Sequence, residues 1–301
     1  MTTAGRQVPI SGLVIVDKPS GRTSHDVVAQ IRRLAGTRRV GHAGTLDPMA
    51  TGVLVIGVEK ATRLLGHLAL TEKEYSATIR LGQATDTDDG DGVTIAEASA
   101  AGITDAALGA AATALTGEIE QVPPGFSAIK VGGKRAYRLA RQGAPPDLAA
   151  RNVTVRSFTV EAVHRLGDLL DADVMVTCSS GTYIRALARD LGTSLGVGGH
   201  LTALRRTRVG PYEIGQARTM EQLAAAFTVV PLDQAAAEAF RPVHLTAQDA
   251  RLVAHGRRLP GAVLEAVPGT GPAAAFAPDG SLVALLTQEA GQARPLAVFV
   301  P

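Results

Sequence analysis

Cysteine is almost absent from this chain, in which Cys178 is the single one among 301 residues. One thiol cannot build an intramolecular disulfide framework or a cysteine-rich zinc site, which indicates a protein kept in a reducing compartment. We expect the thiol itself to be a small buried hydrophobe. Tryptophan is missing, and the aromatic residues are six Phe and four Tyr, so each aromatic side chain inside a motif carries weight.

A long apolar run is also missing from the start of the chain. The apolar stretch that ends near residue 16 spans only a few residues, too short for the core of a signal peptide and far short of a membrane span. We therefore expect a cytoplasmic protein with no membrane partner. Hydrophobic residues make up 46% of the chain and charged residues 19%, a composition typical of a globular protein. The length predicts one large domain plus a smaller one.

Net charge is low but unevenly distributed. Lys and Arg number 30 against 28 Asp and Glu, for a net of +2. The first 80 residues hold eleven basic and six acidic side chains, and the stretch 121–141 holds five cations and no acid. Such a run is either a solvated surface or a surface that contacts nucleic-acid phosphates. These cations are Lys130, Lys134, Arg135, Arg138 and Arg141.

Hydrophobic patterning predicts an α+β fold with a mixed or antiparallel sheet. Tyr75 begins an alternating strand with its ring on the core side. A helix should follow a cap at Thr23 or Ser24 and end at Gly36. Strands and helices that mix without strict βαβ repetition favour an α+β domain. Further strands are predicted over 12–16, 53–58, 153–163 and 174–178, and further helices over 183–191 and 222–240.

The amino-acid composition of the chain changes after residue 238. Residues 239–301 are rich in Gly and Pro with short apolar runs, and we interpret them as a separate small β-rich domain. Within it, Asp279-Gly280 predicts a hairpin turn between strands 273–276 and 282–286.

Motifs typical of several site classes are incomplete. Residues 132–134 resemble the end of a phosphate-binding loop but lack its first Gly and its Ser or Thr. The acidic stretch 86–97 resembles a calcium loop, yet its glycine is displaced, so we expect a polar surface turn. The sequence has no His-x-x-x-His pair and no metal partner for Cys178, and we predict no metal site.

Residues 41–52 form the densest unusual stretch, Gly-His-Ala-Gly-Thr-Leu-Asp-Pro-Met-Ala-Thr-Gly. The glycines permit left-handed turns or close approach to a ligand, and Pro48 fixes the chain directly after Asp47. Asp47 either caps a turn that begins with Pro48, or is a carboxylate presented on a rigid loop between two core elements. The second setting is typical of a nucleophile or a base.

Together with four further motifs, this stretch resembles the bacterial tRNA pseudouridine synthase B family. The matching motifs follow the family's order over most of residues 10–210. They are Asp17-Lys18-Pro19-Ser20-Gly21, Lys73-Glu74-Tyr75, Gln121-Val-Pro-Pro-Gly-Phe-Ser-Ala-Ile-Lys130 and Ser180-Gly181-Thr182-Tyr183-Ile184-Arg185. The resemblance implies a catalytic domain over 1–238, with a thumb insertion at about 121–150, and a PUA-like RNA-binding domain over 239–301.

The resemblance also implies an activity, the isomerisation of uridine-55 in the T loop of tRNA to pseudouridine without metal or organic cofactor. Asp47 matches the catalytic aspartate, which attacks either C6 of the base or C1′ of the sugar. Arg185 matches the arginine that pairs with this carboxylate and keeps it ionised. Tyr75 matches the tyrosine that stacks on the flipped base and is a candidate acceptor of the C5 proton.

Four further residues match positions near the family's substrate. His42 matches the residue that enters the space left by the flipped base, and Tyr183 and Leu204 match pocket residues. Lys18 lies in a matching motif, although a solvated turn lysine fits its sequence context equally well. The cations of the stretch 121–141 match phosphate contacts of the thumb.

The partner implied is the T arm of tRNA. No protein partner is implied, and we expect a monomer. An alternative is a tRNA-binding or folding factor whose main role is binding and not catalysis. A glycosidase with an aspartate nucleophile is less suitable, because it needs a second carboxylate and none stands out in the motifs.

Overall fold

A computed structural model describes residues 10–127, 130–131, 134–135, 148–265 and 271–300, with the backbone alone for 130–131, 134–135 and 265. The described residues form two compact units. The first unit takes in those of 1–48, 52–70 and 209–301, and the second those of 49–51 and 71–208. The domain boundary at residue 239 stays a prediction.

The described residues form α-helices and β-strands in an α+β arrangement, as the sequence predicts. The helices are α1 (Ser24–Ala35), α2 (Leu65–Leu68), α3 (Asp105–Ala114), α4 (Ile184–Ser194), α5 (Met220–Ala225), α6 (Leu232–Ala239), α7 (Ala247–Ala254) and α8 (Ala262–Glu265). The strands are β1 (Gly12–Lys18), β2 (Val40–Ala43), β3 (Thr51–Val58), β4 (Lys73–Leu81), β5 (Gln83–Thr85), β6 (Thr94–Glu97), β7 (Gly117–Gln121), β8 (Lys130–Val131), β9 (Lys134–Arg135), β10 (Arg151–Leu166), β11 (Leu169–Cys178), β12 (Gly199–Val209), β13 (Tyr212–Glu213), β14 (Val230–Pro231), β15 (Arg241–His244), β16 (Leu259–Pro260), β17 (Ala273–Phe276), β18 (Leu282–Glu289) and β19 (Gln292–Val298).

The N-terminal part of the first unit is built around β1, which pairs antiparallel with β14 and β3. Helix α1 follows, with Thr23 as its N-cap in a capping box with Asp26. Gly36 ends this helix at φ +64°, a left-handed conformation that glycine adopts without steric cost. The predicted cap and stop of α1 are therefore confirmed.

The C-terminal part of the first unit is a five-stranded sheet in the order β15-β17-β18-β19-β16. Strands β17 and β18 form the predicted hairpin, with Gly280 at φ +83° in the turn. The core of this unit includes apolar side chains from both ends of the chain, among them Leu13 and Val53 with Phe276 and Phe299.

The second unit contains a sheet in the order β12-β4-β11-β10-β7. Strands β4, β11, β10 and β7 pair antiparallel with their neighbours in that order. Buried and more exposed residues alternate along β4, which is typical of a strand with one face in the core. Helix α4 buries its apolar face, including Leu187 and Leu191.

One local prediction needs correction. The helical stretch predicted over 222–240 is two helices, α5 and α6, separated by β14. Pro231 has no N–H for a continuous helix, and the β-branched Val230 instead pairs with Leu13 of β1. The glycine-rich stretch after residue 40 begins with a strand, β2, which pairs with β3. No helix in the described part of the chain has the length and hydropathy needed to cross a membrane.

Candidate active site

The loop that carries Asp47 joins β2 to β3 and is fixed on both sides of the aspartate. On one side, the Ser24 hydroxyl accepts a hydrogen bond from the Leu46 N–H at 3.0 Å and lies 3.2 Å from the Leu46 carbonyl, to which it donates. On the other side, the Pro48 carbonyl accepts from the Gly21 N–H at 2.9 Å. The half-buried Asp47 is therefore presented on a backbone whose position the α1 region sets.

Pro48 does not begin a helix, so a helix-capping role for Asp47 is wrong, while a cap of the local turn stays a prediction. No helix lies between Asp47 and Thr51, the first residue of β3, and all of these residues are described. Gly44, at φ +76°, supplies the left-handed turn that leads from β2 into the loop. The arrangement is that of a carboxylate on a short, constrained loop between two strands.

Lys18 lies at the end of β1, and its side chain is fully buried at 0% exposure. Its ammonium donates to the carbonyls of Pro19 at 2.9 Å, Arg22 at 2.7 Å and Pro48 at 3.2 Å. The solvated-turn interpretation of Lys18 is therefore wrong, because the three carbonyls replace the three hydrogen bonds that water would offer an ammonium. The third bond holds the Asp47 loop from the carbonyl directly after the aspartate.

His42 is half-buried in β2. Its ring meets the ring of His25, which α1 carries, edge to face with centroids 5.6 Å apart. The Asp47 loop and the two imidazoles therefore belong to one local structure formed by β1, α1, β2 and the turns between them.

Arg185 occupies the first turn of α4 in the second unit and is only 4% exposed. Its Nη1 donates to the Thr87 carbonyl at 2.9 Å and lies 3.5 Å from Oδ2 of Asp89, and its Nη2 donates to the Phe126 carbonyl at 3.0 Å. Asp89 is itself oriented, since its Oδ1 accepts from the Thr87 hydroxyl at 2.6 Å and from the Asp91 N–H at 3.2 Å. The guanidinium thus has a fixed direction before any substrate binds.

The acidic stretch 86–97 contains the predicted turn, but part of it is buried. Asp89 is 6% exposed because it faces Arg185. Asp86 accepts a hydrogen bond from the Val93 N–H, so this carboxylate closes the turn. Among the described residues, no group of three or more His, Cys, Asp or Glu side chains is arranged to hold a metal ion.

The other candidate pocket residues also belong to the second unit. Tyr75 lies in β4 opposite Val176 of β11 and is 7% exposed, so its predicted core-side position is confirmed. Leu204 is buried in β12. Tyr183 is the half-buried N-cap residue of α4, two positions before Arg185. Asp47, His42 and Lys18 belong to the first unit, and the pairing of Arg185 with Asp47 stays a prediction.

Two buried cations interact electrostatically, Lys73 at the start of β4 and Arg206 in β12. Arg206 is 0% exposed and Lys73 is 6% exposed, with the Lys73 ammonium donating to the Thr71 carbonyl at 2.7 Å. Burial, reinforced by the positive charge of Arg206, lowers the pKa of Lys73 to about 8. Burial raises the pKa of the nearby Cys178 thiol to about 11, so this thiol is a poor nucleophile.

The predicted phosphate contacts are described only in part. Strands β8 and β9 pair antiparallel, with Lys130 opposite Arg135 and Val131 opposite Lys134. Arg138 and Arg141 lie outside the described residues.

Sequence reasoning missed three polar residues that hold this part of the second unit together. Asp89 pairs with Arg185, and Gln121 bonds the backbone of Tyr183. Arg189 bonds Asp88 and the Val122 carbonyl. Gln121 offered a local clue, because it is the first residue of the matching motif 121–130, but the partners just named lie far away in sequence for all three.

Comparison with known proteins shows the family to which this chain belongs. Residues 32–184 match the model of the TruB family pseudouridylate synthase N-terminal domain. Residues 185–244 match the tRNA pseudouridylate synthase B C-terminal domain, and residues 240–300 match the tRNA pseudouridine synthase II C-terminal model. A solved Cbf5–Nop10–Gar1 complex contains a chain with the same fold, at a TM-score of 0.73 and 26% identity over 96% of this chain and 85% of that one.

The chain therefore belongs to the TruB family of pseudouridylate synthases, enzymes that isomerise uridine to pseudouridine. It is 60% identical to the tRNA pseudouridine synthase B of Thermobifida fusca (strain YX), over 96% of this chain and 98% of that protein. It is 59% identical to the protein of the same name in Arthrobacter sp. (strain FB24), over 97% of each chain.

Proposed function

We propose that this protein converts uridine-55 in the T loop of tRNA to pseudouridine, with Asp47 as the nucleophile. The observation that carries the proposal is the loop between β2 and β3, which Lys18, Gly21 and Ser24 hold by the backbone on both sides of the aspartate. The names of the relatives, tRNA pseudouridine synthase B, support tRNA as the substrate.

The chemistry explains why one carboxylate and no redox group is needed. The C1′–N1 bond of the nucleoside breaks, the base turns, and a C1′–C5 bond forms. A proton leaves C5 and N1 gains one, so atoms and electrons balance without an oxidant or a cofactor. Asp47 attacks either C6 or C1′, and the bond it forms breaks again before the product leaves, which returns the free carboxylate. Both routes need a carboxylate held close to the nucleoside, for which a constrained loop is suited.

Tyr75 and Arg185 complete the proposed catalytic group. Tyr75 stacks on the flipped base and accepts the C5 proton. Arg185 provides the cationic partner of the Asp47 carboxylate. Its fixed orientation, with bonds to two carbonyls and the ion pair with Asp89, supports this role because a preorganised cation needs no reorganisation during the reaction.

A uridine within a folded T arm is stacked, so the enzyme flips it out at a cost of a few kcal/mol. We propose that His42 enters the vacated space and that Tyr183 and Leu204 line the pocket for the flipped base. Lys18 holds the Asp47 loop from behind, a role that its burial and its bond to the Pro48 carbonyl support.

The thumb cations are proposed to contact phosphates of the T arm. In the β8–β9 hairpin, Lys130 is the cross-strand neighbour of Arg135. Like charges directly opposite each other destabilise a strand pair, and a bound phosphate removes that penalty. The same role is proposed for Lys134, Arg138 and Arg141.

We further propose that the protein acts as a monomer in the cytoplasm, without protein partner, metal or organic cofactor. Light scattering at the protein concentration of the assay tests the monomer directly, and a dimer there would refute it. A role limited to binding and folding tRNA is not favoured, because the relatives are named as synthases.

The proposal is tested by mapping the product. An unmodified tRNA transcript is incubated with the protein, treated with a carbodiimide that marks pseudouridine, and read by primer extension. We expect one new stop at position 55 in the T loop, and none with a transcript in which that uridine is replaced by cytidine. A stop elsewhere, or no stop above an Asp47→Asn control, would contradict the proposal.

A further inference from the structure

Gln121 ends β7 with a side chain that is 1% exposed, at the base of the segment that the sequence predicts as the thumb. Its carboxamide bonds the backbone of Tyr183 twice. Nε2 donates to the Tyr183 carbonyl at 3.1 Å, and Oε1 accepts from the Tyr183 N–H at 2.8 Å. One side chain thus satisfies both backbone groups of a residue at the start of α4.

Two further contacts join α4 to the same segment. Arg185 donates to the Phe126 carbonyl at 3.0 Å, and Arg189, one turn later, donates to the Val122 carbonyl at 2.8 Å. Arg189 is oriented by Asp88, whose Oδ2 lies 3.1 Å from its Nη1. Residues 121, 122 and 126 are therefore bonded to residues 183, 189 and 185 respectively, at the N-cap and in the first two turns of α4.

The chemistry of these bonds makes Gln121 hard to replace. The Tyr183 N–H takes an acceptor, and the Tyr183 carbonyl, which already accepts from the Leu187 N–H at 3.2 Å, takes a second donor. A primary amide supplies both in one plane. A carboxylate at this position offers two acceptors and leaves the carbonyl facing a negative charge. An apolar side chain removes the acceptor of the Tyr183 N–H in a buried place, at a cost of about 1–3 kcal/mol, while the Tyr183 carbonyl keeps only its bond from the Leu187 N–H.

We propose that Gln121 is a positioning residue that fixes Tyr183 to the base of the segment 121–127. Because Tyr183 caps α4 and Arg185 lies in its first turn, the placement of this segment on the RNA and the placement of the two side chains are set together. The inference rests on the proposed function in one respect, since the rate measured below is that of uridine isomerisation.

Three variants test the role. Gln121→Met removes both bonds with little change of volume. Gln121→Glu keeps the acceptor for the Tyr183 N–H and replaces the donor. Glu120→Gln, on the exposed neighbouring position of β7, is the matched control. Each is compared with the unaltered protein for the fraction folded, the Kd for tRNA, the single-turnover rate constant at saturating enzyme, and the hydrogen-exchange rate of the Tyr183 amide without RNA.

For Gln121→Met we expect the rate constant per folded molecule to fall about tenfold, because small displacements of positioning groups cost 10- to 100-fold. The Kd should change less than about threefold, and the Tyr183 amide should exchange at least tenfold faster because its acceptor is gone. Glu120→Gln should match the unaltered protein in every measurement.

Gln121→Glu adds a readout that a general loss of packing does not produce. A protonated carboxylic acid donates and accepts as an amide does, and burial raises the pKa of a carboxyl group. The rate of this variant, relative to the unaltered protein at the same pH, should therefore recover as the pH falls from about 8.5 to about 6. This variant also serves if Gln121→Met does not fold.

The outcomes separate the two proposals. If the unaltered protein makes no pseudouridine, the proposed function fails, and the exchange rate of the Tyr183 amide still tests whether Gln121 holds Tyr183. If the unaltered protein is active and the Gln121 variants match it per folded molecule, or if the deficit of Gln121→Glu does not change with pH, the positioning role is overturned.

Discussion

Replacing Lys18 with methionine removes the ammonium that holds the Asp47 loop while leaving a side chain of similar length. Three carbonyls, of Pro19, Arg22 and Pro48, then lose their charged donor. Hydrogen bonds to a charged group contribute about 1.5–3 kcal/mol each, but burying the ammonium itself costs several kcal/mol. All three residues are exposed, so we expect water to replace part of the lost donor in the variant. We therefore expect the free energy of unfolding to fall by about 2–3 kcal/mol.

Urea unfolding followed by circular dichroism measures this loss, with Lys60→Met as the control because Lys60 is exposed. The control should lie within about 0.5 kcal/mol of the unaltered protein. Under conditions where Lys18→Met is still folded, its single-turnover rate should be at least tenfold lower, because Pro48 directly follows Asp47. A stability loss below 1 kcal/mol together with an unaltered rate would refute the view that this ammonium fixes the loop.

Three further predictions concern buried and charged groups. Folding lowers the pKa of Lys73 from 10.5 to about 8, so below pH 8 the buried charged form destabilises the fold. This penalty should disappear as the pH rises from about 8 to 10.5, where the folded protein has lost the proton and the unfolded chain still holds it. The free energy of unfolding, measured relative to Lys73→Met, should increase over that window, and a flat difference would contradict the burial argument. Cys178 is 1% exposed with its pKa raised to about 11, so iodoacetamide at pH 8 should label it only after unfolding; rapid labelling of the native protein would show that the thiol is accessible. Replacing Lys130 and Arg135 by alanine should weaken tRNA binding and reduce the slope of log Kd against log salt by about 1.5. An unchanged slope would remove these residues from the phosphate contacts.

Features set by neighbours along the chain could be predicted from the sequence. Thr23 with Asp26 and the terminal Gly36 define α1 through short-range capping chemistry. The hairpin at Asp279-Gly280 depends on a turn with a glycine in the left-handed region. In both cases the stabilising groups lie within a few residues of one another, so a short stretch of sequence includes every residue on which the feature depends.

Features that depend on partners distant in the sequence could not be predicted from it. The burial of Lys18 depends on the Pro48 carbonyl, 30 residues away. The sequence predicts Asp89 only as part of a polar surface turn, because Arg185, which pairs with it in the fold, lies almost a hundred residues later. Gln121 depends on Tyr183 in the same way, at a separation of 62 residues. The break between α5 and α6 follows partly from Pro231, a local feature, and partly from the pairing of Val230 with β1.

The most direct test of the central claim compares the unaltered protein with Asp47→Asn on a tRNA that carries tritium at C5 of uridine. Asparagine keeps the size and the loop while removing the nucleophilic carboxylate. We expect the unaltered protein to release one equivalent of tritium per tRNA. For the variant we expect a rate at least a thousandfold lower, about 4 kcal/mol in the barrier, with the Kd for tRNA unchanged within about threefold. Tritium release by Asp47→Asn at a rate close to that of the unaltered protein would contradict the assignment of Asp47 as the nucleophile.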